Sequence, residues 1–246
     1  MRCMTKRLRL DDILIKREIV KDRREAFILV TEGRVRIDGQ RAITPAQFTH
    51  EGARVEVEDM RRYVGRGARK LAAALDAFPI VVAGKICADI GAATGGFTQV
   101  LLERGAARVY AIDTARGKLA LKIRQDPRVV VMEQTDARDL KNLPEPADIA
   151  VIDVSLISLR DILPHARRLL ASRGAVIALF KPQYETRDPR ILHHGVIRDP
   201  AARKKLVDDF AAWADKNGWD ARGMIESPIR GGKGNTEYLF LLNSFK

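Results

Sequence analysis

The residues of this 246-residue chain whose types and spacing could do chemistry are a glycine turn, two acids beyond it, and four charged residues far apart in sequence. Asp89-Ile90-Gly91-Ala92-Ala93-Thr94-Gly95-Gly96-Phe97 carries an apolar run into a helical pattern through small residues. Glycines at such a turn let the backbone approach a ligand at the carboxyl edge of a sheet. The spacing G-x-x-x-G-G departs from the G-x-G-x-x-G of dinucleotide-binding turns, and an acid, Asp89, opens it. Asp113 closes the next apolar run, where a ribose-binding carboxylate is expected in a nucleotide-binding half-fold. Asp136 follows a third run, placed to meet an adenine amino group. These residues together predict a ligand that contains an adenosine ribose. Lys70, Asp153, Lys181 and Glu237 stand at further element ends, which a doubly wound sheet can bring to one edge.

The elements that must position these residues come from hydrophobic patterning. Apolar clusters at Ile86–Ile90, Val109–Ile112, Val129–Met132, Ile149–Ile152 and Ala175–Phe180 alternate with helical patterns reaching Arg104, Ile123 and Leu170. A helix around Ala201–Lys216 and a strand at Tyr238–Leu242 follow. Such alternation predicts an α/β domain with a parallel sheet covered on both faces, here over residues 68–246. Residues 7–60 read differently, as a small α+β domain. Leu8, Leu10, Ile13 and Leu14 have helical spacing, a second helix follows Arg23-Arg24, Gly33 ends it, and Val35, Ile37 and the Asp38-Gly39 turn announce a hairpin. Residues 61–67 lack apolar periodicity and read as a linker.

The glycine turn with Asp89, Gly91, Thr94, Gly95, Gly96, Phe97, Asp113 and Asp136 resembles the S-adenosylmethionine site of class I, Rossmann-like methyltransferases. In the front segment, Leu10-Asp11-Asp12, Arg23-Arg24-Glu25-Ala26 and Gly33-Arg34-Val35-Arg36-Ile37-Asp38-Gly39 resemble the RNA-binding domain named after ribosomal protein S-four. That resemblance implies RNA-phosphate contacts from Lys16, Arg17, Arg23, Arg24, Arg34 and Arg36. Contacts of this kind give salt-sensitive affinity with little sequence discrimination.

The methyl acceptor is narrowed by what the chain lacks. Base-amine methylation calls for N/D-P-P-Y/F after the fourth strand, where this chain has Asp153-Val154-Ser155-Leu156. Carbon methylation of pyrimidines needs a nucleophilic cysteine. Cys87 lies inside a predicted strand and Cys3 outside the domain. The Lys70, Asp153, Lys181 and Glu237 set resembles that of the FtsJ/RrmJ ribose 2′-O-methyltransferases. The flanking Gly67-Ala68-Arg69-Lys70-Leu71, Lys181-Pro182-Gln183-Tyr184-Glu185 and Gly234-Asn235-Thr236-Glu237-Tyr238-Leu239 resemble the hemolysin-A-like, or TlyA, branch. The resemblance implies 2′-O-methylation of cytidine in 16S or 23S ribosomal RNA, with those four residues catalytic and Lys181 either taking the hydroxyl proton or stabilising the oxyanion. An ordinary lysine is protonated at neutral pH, so a lysine base requires burial or a nearby cation, an effect that neighbouring carboxylates oppose. Asp113-Thr114-Ala115-Arg116-Gly117 and Arg69 depart from the branch pattern but leave the cofactor acid and Lys70 in place.

Net charge is +12, and residues 1–70 hold 18 basic against 11 acidic residues, an excess that favours a polyanionic partner such as a ribosomal subunit. No apolar run reaches the roughly 18 residues of a membrane span, and the basic start runs straight to Asp11-Asp12 without a signal's apolar stretch. A cytoplasmic monomer without a membrane or metal partner is the expectation, since neither the two cysteines nor His50, His165, His193 and His194 have metal-ligand spacing. Two other readings compete. A non-catalytic RNA-binding assembly factor is opposed by retention of all four charged residues. A pore-forming cytolysin, suggested by the hemolysin name, is opposed by the absence of a signal, membrane segments and amphipathic repeats.

Overall fold

The structure, a computed structural model, describes residues 7–31, 33–57 and 63–244. Cys3 and the linker residues Arg61 and Arg62 lie outside them. The chain divides into two compact units, Met1–Arg62 and Tyr63–Lys246.

In the first unit, β1 (Arg7–Arg9) leads into α1 (Leu10–Lys16) and α2 (Arg23–Thr31), followed by β2 (Val35–Ile37), β3 (Gln40–Arg41), β4 (Phe48–His50) and β5 (Val55–Val57). Leu10 and Leu14 on α1 and Ala26, Leu29 and Val30 on α2 recur at helical spacing and are buried together with Val35 and Ile37. Leu8, expected on the first helix, belongs to β1, which pairs antiparallel with β4. The Asp38-Gly39 turn closes the β2–β3 hairpin with both residues at positive φ, the twist a two-residue hairpin requires.

The second unit opens on α3 (Gly67–Ala77) and continues β6 (Ile86–Ile90), α4 (Gly96–Glu103), β7 (Arg108–Asp113), α5 (Leu121–Arg124), β8 (Val129–Glu133), β9 (Ala147–Ile152), α6 (Leu159–Leu169) and β10 (Leu170–Phe180). α7 (Pro182–Glu185), a short 3-10 turn, α8 (Pro200–Lys216), β11 (Trp219–Glu226) and β12 (Tyr238–Ser244) complete it. The seven strands run in the order β11-β12-β10-β9-β6-β7-β8, parallel from β10 to β8. Successive strand residues face opposite layers. Ala88, Ile90, Ile152, Val176 and Phe180 pack with α6 and α8, whereas Cys87, Val109, Val151, Ile177 and Leu179 pack with α3 and α4.

Four features differ from the patterning. The helix expected to run through Ile123 is only the single turn α5, because the preceding loop is tied to Glu133, whose carboxylate accepts the Gly117 and Leu119 amides. The edge strand β11 was not expected, since Trp-Asp-Ala-Arg-Gly-Met-Ile-Glu does not alternate; pairing with β12 forms it, with a register shift between Ala221 and Gly223. β12 is antiparallel to β10, so the sheet is mixed at that end. The residues from Tyr63 to Gly67, expected in a linker, are packed: Tyr63 lies against the α3–α4 core and the Val64 amide donates to Gln99 Oε1 at 2.8 Å.

Candidate active site

Strand ends deliver the site because a strand whose last residue is fully buried fixes the residue after it. Phe180 is fully buried, with its ring 4.9 Å from Phe210 and 5.6 Å from Phe240, and Lys181 follows directly. Ile152 is also fully buried; Asp153 follows it, its amide bonded to Ile90 O at 3.0 Å. Phe180 pairs with Tyr238, so one step further Lys181 faces Glu237 across the β10–β12 ladder. Lys70 lies on the buried face of α3 beside Leu71 and Ala74.

The four residues form two ion pairs. Lys70 Nζ meets Glu237 Oε2 at 2.5 Å, and both residues are buried. Lys181 Nζ, also buried, meets Asp153 Oδ1 at 2.7 Å, Val154 O at 2.8 Å and Ser155 Oγ at 3.1 Å. Gly231 makes room for the first pair, since a Cβ there would collide with the Glu237 carboxylate. The Tyr184 ring lies 5.9 Å from Lys181 Nζ.

Asp153, Val154, Ser155 and Tyr184 line a cleft of about 1050 Å³ along the carboxyl edge of the sheet. Gly91, Ala93, Asp113, Lys118, Thr135, Asp136 and Arg138 line it as well, with Ile90, Ile112, Ala137 and Ile162 as apolar wall. Gly91 holds φ +87, a left-handed conformation suited to glycine, and a Cβ there would strike the Asp153 carbonyl. The two carboxyl-edge loops therefore touch backbone to backbone. Asp113 joins the turn to the end of β7, with Oδ2 accepting from the Ala93 amide and Oδ1 from the Ala115 amide, both at 2.7 Å. Each oxygen keeps a lone pair for a ligand hydroxyl.

Of the remaining expected cofactor residues, Asp136 lines the cleft and is held by Arg138, whose hydrogen bonds keep its carboxyl below the usual carboxylate range. Asp89, Thr94, Gly95, Gly96 and Phe97 are not in the cleft wall. Phe97 is buried between α3 and α4, and Thr94 is exposed with its hydroxyl against Gly65. A Cβ on Gly96 would stand 3.1 Å from the Ala68 nitrogen, so the Gly65–Ala68 segment packs over the start of α4. That helix end, where a dinucleotide fold seats its pyrophosphate, is covered by the chain itself. Asp89 is fully buried, with Oδ2 accepting from Thr98 Oγ1 and Oδ1 without a partner. Burial pushes its carboxyl up to about 7. Cys87 is fully buried and its thiol is pushed up to about 12 by that burial, which removes it as a nucleophile at neutral pH.

Sequence reasoning missed Glu185. Its carboxylate crosses from the loop after Lys181 to the start of α6, accepting from Ser158 Oγ and Arg160 Nη1 at 2.6 Å and the Leu159 amide at 2.7 Å. It thereby clamps together the loops that carry Lys181 and Asp153. Its sequence signal is a place at the end of the family-like segment Lys181-Pro182-Gln183-Tyr184-Glu185.

In the first unit the expected RNA-binding residues do not share one role. The Arg17 guanidinium donates to Ala53 O at 3.0 Å and to Glu51 O, which makes it a brace for that loop. Lys16 pairs with Glu51, and Arg23 with Asp12 at 2.8 Å, on exposed side chains. Arg24 is exposed, and Arg36 donates to Gly39 O at 3.2 Å. Arg34 follows the close of α2, its amide bonded to Leu29 O. His50 lies beside Asp38 and His165 beside Arg138 O, and no group of three potential metal ligands occurs among the described residues.

A mixed seven-stranded sheet with a cleft at its carboxyl edge and a lysine–carboxylate set beside it defines a class I methyltransferase fold. The family profile described as FtsJ-like methyltransferase matches residues 63–244, and the chain belongs to that family. It is 44% identical over 248 residues to the 16S/23S rRNA (cytidine-2′-O)-methyltransferase TlyA of Mycobacterium tuberculosis, covering 98% of this chain and 91% of that protein. It is 35% identical to Hemolysin A of Brachyspira hyodysenteriae over 94% of this chain and 98% of the other. The solved "Putative hemolysin from Streptococcus thermophilus" superposes with a TM-score of 0.77 at 36% identity, over 98% of this chain and 90% of that one. Among the described residues, no helix is long and apolar enough to cross a membrane.

Proposed function

We propose that this chain transfers the methyl group of S-adenosylmethionine to the 2′-hydroxyl of a cytidine in ribosomal RNA. The observation that carries the reading is Lys181 Nζ, buried and held by Asp153, Val154 and Ser155, three residues of the cleft wall. The activity printed for the Mycobacterium tuberculosis relative agrees with it.

The cleft fits the cofactor by the chemistry of its donor set. Asp113 would take the ribose hydroxyls, Asp136 the adenine amino group, and Ile90, Ile112, Ala137 and Ile162 the faces of the base. When bound, the cofactor supplies a methyl group already activated on a sulfonium. What the protein adds is a better oxygen nucleophile and its orientation. Ser155 is exposed and makes the longest of the three contacts to Lys181, so it is the contact an incoming hydroxyl replaces. There Nζ, after giving one ammonium proton to solvent, takes the hydroxyl proton as the oxygen–carbon bond forms, and Asp153 stabilises the ammonium that is restored. Lys70 and Glu237 hold α3 against the start of β12 and fix the strand facing Lys181.

The first unit, with Lys16, Arg17, Arg23, Arg24, Arg34 and Arg36 at or near its surface, would hold RNA phosphates, with Arg17 acting through the loop it braces. The test is to incubate the purified chain with labelled cofactor and unmodified ribosomal subunits, then map ribose methylation. Labelled 2′-O-methylcytidine in 16S or 23S RNA, lost in Lys181→Ala, is the expected result. No transfer to either subunit would overturn the activity, and undiminished transfer by Lys181→Ala would overturn the mechanism.

A further inference from the structure

We propose that Arg138 determines which purine the cofactor site accepts, by fixing the orientation of the Asp136 carboxylate in the cleft wall. The inference rests on the cofactor reading above and adds a specificity residue to it. Arg138 Nε lies 3.0 Å from Asp136 Oδ1 and 3.1 Å from Oδ2, Nη2 lies 2.6 Å from Oδ2, and the Arg138 amide donates to Oδ1 at 2.9 Å. Oδ1 thus accepts two hydrogens and has no lone pair left. Oδ2 takes its short bond from Nη2 and shares Nε with Oδ1. The side chains are 24% and 49% exposed, so the carboxylate is the more enclosed member and the guanidinium closes its outer side.

Arg138 is itself anchored. Its carbonyl accepts from Arg168 Nη2 at 3.2 Å and lies 2.9 Å from His165 Nδ1, both residues of α6. The main chain of the residue that holds Asp136 is thus tied to the helix that also walls the cleft through Ile162. The pairing also keeps the carboxylate ionised and so acceptor-only.

The consequence is selectivity. Adenine presents a 6-amino donor, whereas hypoxanthine presents a 6-oxo acceptor with a donor at the neighbouring ring nitrogen. A carboxylate free to rotate can follow that ring donor and tolerate hypoxanthine. A carboxylate held by Arg138 sets lone pair against lone pair. Losing Arg138 should therefore cost discrimination more than affinity.

The experiment is calorimetric titration of the full chain with S-adenosylhomocysteine and with S-inosylhomocysteine. The native protein should prefer the adenine compound by about 10- to 100-fold, the range of one hydrogen bond to a charged group. Arg138→Ala should bring the two affinities to within about threefold, chiefly by binding the inosine compound better, and Arg138→Lys, which keeps one donor, should fall between. A thermal melt of each variant separates this change from loss of fold, which would lower both affinities together. Preference unchanged in Arg138→Ala, or absent in the native protein, overturns the inference and leaves the cofactor reading standing. Failure of the native protein to bind either compound overturns both.

Discussion

The Lys70–Glu237 pair is closed on both sides, with side chains 10% and 4% exposed, whereas Lys181–Asp153 opens to the cleft through a carboxylate 23% exposed. The two pairs share their chemistry and differ in what can replace a lost partner. Removing one member of a sealed pair leaves a buried charge with nothing to compensate it, and the cost falls on stability. Removing one member at a cleft wall admits water or substrate, so the cost falls on the reaction. A pair of this kind should therefore be assigned to structure or to chemistry by its access to solvent and substrate, not by its residue types.

The largest effect that could break this contrast is in Lys181→Met, which should lower methyl transfer by about 10²- to 10⁴-fold, the usual worth of a positioned acid–base group. Its urea midpoint should stay near the native one. A destabilisation as large as that of Glu237→Ala would make the two pairs equivalent.

Glu237→Ala comes next, with an expected loss of about 3–5 kcal/mol in urea unfolding, because Lys70 is left buried and unpaired. The double variant Lys70→Met/Glu237→Leu should recover most of that stability, since an apolar pair of similar volume avoids the desolvation cost. Transfer should remain impaired in the double variant. Full activity there would show that the sealed pair acts through stability alone.

Glu185→Gln sharpens the contrast from the loop side. Glutamine has one oxygen, which the Leu159 amide needs; its NH2 then faces Ser158 Oγ, which can accept, and Arg160, which cannot, so unfolding free energy should drop by about 1–3 kcal/mol. Steady-state kinetics should show kcat reduced more than the cofactor KM changes, because the clamp sets the Lys181–Asp153 geometry.

The smallest visible effect is a pH tilt from Asp89. Its folded carboxyl titrates at about 7 against an ordinary 3.8, so between those values the unfolded chain releases a proton that the native state keeps. Stability from this group therefore falls as pH rises through that window and levels off above about 7. Asp11, Asp126, Asp136 and Asp188 tilt the other way, since arginine partners hold their carboxyls low and their stabilisation is lost as pH falls. Only the difference appears in the native profile. Asp89→Asn should remove the downward component, read as urea midpoints at pH 5 and 8 that rise more steeply than in the native protein.

Local patterning made much of the second unit legible. Ile86–Ile90 is β6 as read, Val109–Ile112 lies within β7, and Ala201–Lys216 forms all but the first residue of α8. Their apolar period depends on neighbours two to four residues away, and sequence displays that directly. Asp113 and Asp136 were legible for the same reason, as acids just beyond strands. β11 was not, because pairing with β12 creates it. The helix predicted to run through Ile123 is cut to the single turn α5 because Glu133, ten residues beyond Ile123, takes the amides of the preceding loop.

The sequence by itself determined the strand–helix alternation, the acids at the strand ends and the identities of Lys70, Asp153, Lys181 and Glu237. Only the tertiary structure decided that these four form two separate pairs, one sealed and one open. It also decided that Thr94–Phe97 lies outside the cleft wall and that Glu185 ties two loops together. The physical reason is that burial and pairing partners depend on residues up to 167 positions apart meeting at one sheet edge, as Lys70 and Glu237 do.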